Sequence, residues 1–221
     1  VTAAKNLRTA VLVSGSGTNL QAIIDCASQG KLGITINGVV SDRPGVLALE
    51  RAQRAGIPAQ TVDHAQAGSN AAFQQQLAAV LAELDPDLIV LAGFMRILSP
   101  ELVSNWAGRM LNVHPSLLPK YPGLHTYRRA LEAGDSVHGS TVHFVIPELD
   151  AGPGILQYRV QIRPGDDEAS LRARVQHGEY LIYPRAIAWF AAGRLALRDG
   201  STWLDGERLG GPVVVEENAE A

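Results

Sequence analysis

The residues best suited to chemistry are Asn112 and His114, separated by one residue in the run MLNVHPSLLP. In an extended chain alternate side chains share a face, so this spacing points an amide and an imidazole the same way. Pro115, Pro119 and Pro122 follow. Proline fixes φ and offers no N–H to a sheet, so the pattern predicts a strand that ends in a stiff loop. Some three dozen residues on comes Asp150, directly before the loop signature Ala151-Gly152-Pro153-Gly154. An amide, an imidazole and a carboxylate suit acyl transfer. The amide N–H can meet a developing oxyanion. The imidazole can move a proton. A nearby carboxylate favours the charged imidazole. Taken singly, an Asn or a His is more often structural, so the case rests on the set.

A second feature stands near the start. The apolar run Thr9–Val13 leads into Ser14-Gly15-Ser16-Gly17-Thr18-Asn19, and Leu20-Gln21-Ala22-Ile23-Ile24 then has helical spacing. Backbone N–H groups of a glycine loop at a helix N-terminus favour an anion. The third glycine of a dinucleotide fingerprint is replaced by Leu20, and there is no Gly-Lys-Ser/Thr ending. A single phosphate monoester therefore fits better than a dinucleotide. The plainer alternative is a tight turn that needs glycine φ angles.

The elements that must position these residues alternate between strand and helix. Strands are expected at Ile34–Val40, Ala59–Val62, Leu88–Ala92 and Arg109–Val113, and helices at Val46–Ala55 and Ala71–Leu84, the latter capped by Asn70. Ser99-Pro100-Glu101 starts another helix, with Ser as N-cap and Pro at the first helical position. Leu88–Ala92 is apolar throughout, as expected of a central parallel strand covered on both faces. After His125 a helix reaches about Ala133. Strands follow at Ser140–Ile146, with Thr141, His143 and Val145 on one face, and at Leu156–Ile162. Asp167–Ala192 is helical, interrupted or kinked at Pro184. Leu195–Arg198 precedes a hairpin around Asp205-Gly206. This rhythm predicts an α/β fold with a doubly wound, mostly parallel sheet that becomes mixed toward its C-terminal part. In such sheets ligands bind beyond the carboxyl ends of strands, where the glycine loop, Gly93-Phe94-Met95-Arg96-Ile97-Leu98 and Asn112/His114 all fall.

Composition sets the bounds. The 221 residues are 46% hydrophobic and 19% charged, an ordinary soluble mixture for about one domain. A net charge of -3 argues against nucleic acid as the main ligand, without forbidding a local phosphate pocket. Cys26 is the only cysteine, so no intrachain disulfide can form, which fits a reducing, cytoplasmic setting; it reads as a packed thiol. The first fifteen residues lack the apolar core of a signal peptide, and no run approaches the roughly 18 apolar residues of a membrane span. The acidic tail Glu216–Ala221 is expected to fray. Oligomeric state is left open between monomer and homodimer.

Asn112-x-His114-Pro-Ser-Leu-Leu-Pro followed by Asp150 resembles the signature of the folate-dependent formyltransferases. The stretches SGSGTNLQAII, AGFMRIL and LPKYPGLHTYRRALEAGDSVHGSTVHFV extend the likeness from about Ala10 to Leu209, closest to the branch that serves purine biosynthesis. The resemblance implies a Rossmann-like fold and one formyltransferase domain over residues 1–221, its N-terminal half binding phosphate and its C-terminal half folate. It implies formyl transfer from 10-formyltetrahydrofolate to the amine of glycinamide ribonucleotide, by direct attack through a tetrahedral intermediate and without metal. It assigns Asn112, His114 and Asp150 to catalysis. Asp150 either tunes His114 or also takes the proton of the attacking ammonium. It assigns Gly17, Thr18, Asn19, Pro115, Gln176 and Glu179 to the ribonucleotide, Glu179 suiting ribose hydroxyls better than phosphate. It assigns Met95, Arg96, Ile97, Leu98, Ile146, Pro147, Glu148, Leu149 and Asp150 to the folate. One departure stands out: some relatives carry an arginine where this chain has Asn70, positioned for the folate's glutamate tail.

Three alternatives share parts of this pattern. A methionyl-tRNA formyltransferase shares the core but normally adds a C-terminal barrel of about a hundred residues. A formyltetrahydrofolate hydrolase normally adds an N-terminal regulatory domain, whereas the first strand here begins near Thr9. A phosphosugar-binding module would need the glycine loop but not Asn112, His114 and Asp150 together. Of the remaining residues, His138 and His143 make a weak metal pair, and His143 reads better as a hydrogen-bonded strand residue behind the site. Arg128-Arg129 reads as a solvated helix face, and Trp106, Trp189 and Trp203 as packing.

Overall fold

Apolar runs without alternation become strands covered on both faces. In the computed structural model, which describes residues 6–217, every residue of β4 (Leu88–Leu91) is buried, as are the last five of β1 (Leu7–Val13). Both pair in parallel, and β2 (Ile34–Ser41) and β3 (Ala59–Thr61) extend the row as β4-β1-β2-β3. The intervening helices are α1 (Thr18–Ser28), α2 (Leu47–Arg54), α3 (Asn70–Leu84) and α4 (Pro100–Asn105). Ser99 caps α4 by accepting from the Leu102 N–H at 3.2 Å, with Pro100 at the first position. The cap of α3 corrects the sequence expectation. Ser69, not Asn70, accepts the Ala72 N–H, and Asn70 is the first helical residue.

The chain divides into two compact units between Leu111 and Asn112, inside β5 (Met110–His114). In the second unit come α5 (Thr126–Glu132), β6 (Val137–Phe144), β7 (Gly154–Gln161), α6 (Glu168–Ala191), β8 (Leu195–Arg198), β9 (Ser201–Leu204), β10 (Glu207–Arg208) and β11 (Val213–Glu216). Its strands run β11-β7-β6-β5, with β6 and β7 antiparallel and β11 parallel to β7. The expected α/β class, mostly parallel with mixed pairing in the C-terminal part, is what the chain adopts. A separate antiparallel sheet, β10-β9-β8, carries the expected Asp205-Gly206 turn, both residues at positive φ as a tight hairpin requires.

Several features differ from the sequence reading. β6 stops at Phe144, because the Phe144 N–H bonds Pro153 and Pro147 has no N–H with which to continue. Helix α6 runs unbroken through Pro184 and starts from an Asp167–Ser170 capping box. Strand β11 was not expected. Glu216 belongs to that strand and Glu217 receives Arg163 and Arg174, so these two residues are anchored rather than frayed. The rest of the tail lies outside the described residues. Among those described, no helix is long and apolar enough to cross a membrane.

Candidate active site

β5 delivers both polar side chains at its carboxyl end, with His114 buried and Asn112 half-buried. The His114 Nε2 lies 2.9 Å from the Tyr121 carbonyl oxygen. A carbonyl only accepts, so Nε2 carries the hydrogen. On the other edge, Nδ1 lies 3.4 Å from Asp150 Oδ2. The same Oδ2 accepts the Gly123 N–H at 2.8 Å. Asp150 sits at φ +52°, a left-handed conformation that Asp and Asn tolerate better than most residues. Both neighbours of the His114 ring, the Tyr121 carbonyl and the Asp150 carboxylate, are thus acceptors.

Asn112 is oriented by His143 on the adjacent strand. His143 Nδ1 is 2.8 Å from the Phe144 carbonyl and must donate to it. Burial depresses the His143 pKa to about 4, so the ring is neutral at pH 7 and its Nε2 is an acceptor. That Nε2 takes the Asn112 Nδ2 hydrogen at 3.1 Å. One amide hydrogen is spent there and the second remains for a ligand oxygen. Asp150 Oδ1 lies 3.9 Å from the same His143 Nε2. Asn112, His114 and Asp150 are therefore brought into one cluster, with His143 behind it as expected.

The proline loop after β5 is laced to the sheet. Thr141 Oγ1 donates to the Ser116 carbonyl and accepts the Leu118 N–H, and Gln157 donates to the Leu118 carbonyl. His138 bonds the Pro115 backbone, and burial lowers its pKa to about 4. The Leu118–Pro119 peptide is cis. Arg129 donates to the Pro122 carbonyl at 2.6 Å and lies 5.0 Å over the Tyr121 ring, so it ties the loop rather than forming a solvated face. Its neighbour Arg128 does lie exposed, paired with Glu168.

The other expected substrate residues of this unit lie on two elements. Ile146 to Leu149 form the segment leading into Asp150, Ile146 half-buried and Leu149 53% exposed. Gln176 and the buried Glu179 lie on α6. Burial first, then the Glu179 carboxylate, raises the Tyr127 pKa.

In the first unit Gly17 is the N-cap of α1 at φ +70°, with no side-chain cap. A Cβ there would meet Ala48 at 2.7 Å, so both the angle and the space demand glycine. Thr18 and Asn19 open the helix. Arg51 braces the turn through the Ser16 carbonyl at 2.8 Å. After β4, Met95 and Ile97 are 60% and 65% exposed, whereas Leu98 is buried. The Met95 N–H is held by Ser14, the Ile97 carbonyl by Gln74, and Arg96 by the buried Asp42 at 2.6 Å. Among the described residues, no group of three or more His, Cys, Asp or Glu side chains could hold a metal ion.

Sequence reasoning missed Tyr121, Gly123, Thr141 and Gln157. Tyr121 and Gly123 act through backbone atoms, which leave no side-chain signal. Thr141 and Gln157 do leave one, as polar residues on strands that are otherwise buried.

The family model for formyl transferase matches residues 7–187. The chain belongs to the formyl transferase family. It is 53% identical over 199 residues to phosphoribosylglycinamide formyltransferase of Escherichia coli (strain K12), covering 90% of this chain and 94% of that one. The enzyme of the same name from Haemophilus influenzae is 47% identical over 200 residues, with the same coverage. Among solved structures, the phosphoribosylglycinamide formyltransferase of Coxiella burnetii in complex with CHES superposes with a TM-score of 0.88 at 48% identity, covering 94% of this chain and 99% of that one. The formyltransferase signature read around Asn112 and His114 thus falls inside the matched region.

Proposed function

We propose that this formyl transferase moves the formyl group of 10-formyltetrahydrofolate to the amine of glycinamide ribonucleotide, as a cytoplasmic enzyme of purine biosynthesis acting on small molecules. The observation that carries the reading is the His114–Asp150 contact with Asn112 held beside it, in a chain most of whose length matches enzymes named for that substrate. When bound, the folate supplies the formyl carbon and a nitrogen leaving group. Asn112 offers its second amide hydrogen to the formyl oxygen as negative charge grows there. His114 turns its Nδ1 edge to the same region and serves as the acid toward the departing nitrogen. Asp150 stabilises positive charge on that ring, and it is the base nearest to an incoming amine held at the cluster.

We assign Gly17, Thr18 and Asn19 to the ribonucleotide phosphate, because an uncapped helix N-terminus with glycine freedom is a ready seat for an anion. Pro115, Gln176 and Glu179 complete that substrate's contacts, with the carboxylate on ribose hydroxyls rather than phosphate. Met95 to Leu98 in the first unit and Ile146 to Asp150 in the second are assigned to the folate. In the first unit, exposed Met95 and Ile97 suit a flat heterocycle that would cover them. By this assignment the phosphate seat lies in the N-terminal half, within one functional domain. The test is a spectrophotometric assay of tetrahydrofolate release with glycinamide ribonucleotide as acceptor. Activity that depends on that acceptor is expected. Turnover with water alone, or only with charged initiator tRNA, overturns the assignment.

A further inference from the structure

Tyr121 has a backbone that its own type disfavours. It stands at φ +55°, where a bulky aromatic residue is an outlier. Side-chain anchors hold it there. Its hydroxyl donates to Asp135 Oδ2 at 2.9 Å. The Arg129 guanidinium covers its ring at 5.0 Å while bonding the next carbonyl, that of Pro122. Asp135 is itself held by Lys120 Nζ, 3.0 Å from both carboxylate oxygens, and this pairing with the Tyr121 hydroxyl keeps its pKa below the usual range. The carbonyl that this strained residue presents is the one that receives His114 Nε2.

We infer that Tyr121 and Asp135 are positioning residues for His114: the hydroxyl–carboxylate bond holds Tyr121 in its left-handed conformation, so that its carbonyl fixes the ring and turns Nδ1 toward Asp150. This deepens the proposed function, since it assigns the outer support of the same imidazole. Without the hydroxyl anchor the residue relaxes toward negative φ, the carbonyl turns away, and the ring loses its fixed direction. A misplaced catalytic group lowers the rate of the chemical step with little effect on substrate binding.

The experiment combines kinetics with 15N NMR of the imidazole nitrogens in the full chain without ligand. Tyr121→Phe is expected to lower kcat about ten-fold, with both KM values within about two-fold of the parent. The His114 Nε2 resonance is expected to move as its carbonyl partner is lost. Asp135→Ala should match it, and the double variant should be no worse than either, because the two groups act as one unit. Asp135→Asn keeps an acceptor for the hydroxyl and is expected to retain most of the parent kcat. A Tyr121→Phe enzyme with parental kcat and unmoved His114 resonances overturns the inference. So does a fall in melting temperature alone. The NMR arm needs no substrate, so it decides the positioning claim even if the acceptor proves to be a different amine.

Discussion

Asp150 Oδ2 stands 3.4 Å from His114 Nδ1 while taking the Gly123 N–H at 2.8 Å. One carboxylate oxygen thus serves both a loop and an imidazole. The two duties can be separated. Asn at position 150 tolerates the same positive φ and keeps an oxygen for Gly123, so Asp150→Asn removes the charge and spares the loop. We expect a properly folded variant whose kcat falls by about a hundred-fold or more, the scale of a lost acid–base partner. Steady-state kinetics beside circular dichroism check it, and a near-parental kcat would remove Asp150 from the chemistry.

The Asn112–His143 pair makes a different claim. His143 spends one amide hydrogen in orienting the other, so the amide is aimed and not only present. Truncating it by Asn112→Ala is expected to cost about a hundred- to a thousand-fold in kcat, the usual effect of losing one oxyanion donor, with smaller changes in KM. A rise in KM at constant kcat would make Asn112 a binding group instead.

Two buried histidines predict how stability follows pH. Burial lowers both His138 and His143 to about 4, against 6.5 when unfolded. Between those values the unfolded chain binds more protons than the native one, so stability rises with pH across this window. The contribution is complete above about pH 6.5 and is lost as pH falls through about 4. Each histidine is worth about 1.4 kcal/mol per pH unit within the window. Melting curves from pH 7 to 4 should fall steadily, and a flat profile would show that the rings are hydrated.

How far the sequence reaches is visible in these same residues. Asn112 and His114 were legible because period-two spacing and a proline-rich loop are local patterns. The Asn112–His143 bond was not, since it depends on which residues of two strands face each other, 31 positions apart. Tyr121 escaped notice because its carbonyl does the work, and every residue has a carbonyl. Asn70 and Ser69 show the limit at a helix start: both types cap well, and only the backbone angles of Ser69 decide between them. The end of β6 carried a local sign in Pro147, which apolar Val145 and Ile146 outweighed.

Packing beneath the site offers a test of the fold. Gly178, in the middle of α6, has the Tyr158 ring of β7 against it, and a Cβ there would lie 1.9 Å from the ring. Tyr158 is fully buried and cannot swing away. The gain in helix propensity from Gly178→Ala, about 1 kcal/mol, is therefore overridden by a clash of about 1–3 kcal/mol or more. A lower denaturation midpoint is expected, and a stabilised variant would mean that α6 and β7 do not meet this closely.

The last prediction concerns Asn70, exposed on the first turn of α3. If the folate binds as assigned, its polyglutamate tail carries several carboxylates, and an amide offers them no charge. Arginine pairs with carboxylates through two parallel, charge-assisted hydrogen bonds, whereas Asn offers only a neutral amide on a single nitrogen. Near a helix N-terminus a cation costs a few tenths of a kcal/mol, so Asn70→Arg should leave the melting temperature almost unchanged. It should lower KM for a polyglutamylated 10-formyltetrahydrofolate by several-fold, on the scale of one partly exposed ion pair, and leave that for the monoglutamate much closer to the parent. The salt dependence is the discriminating readout: the gain should fade as ionic strength rises and exposed charges are screened. Equal KM values for the two folates in parent and variant alike would place the tail away from α3.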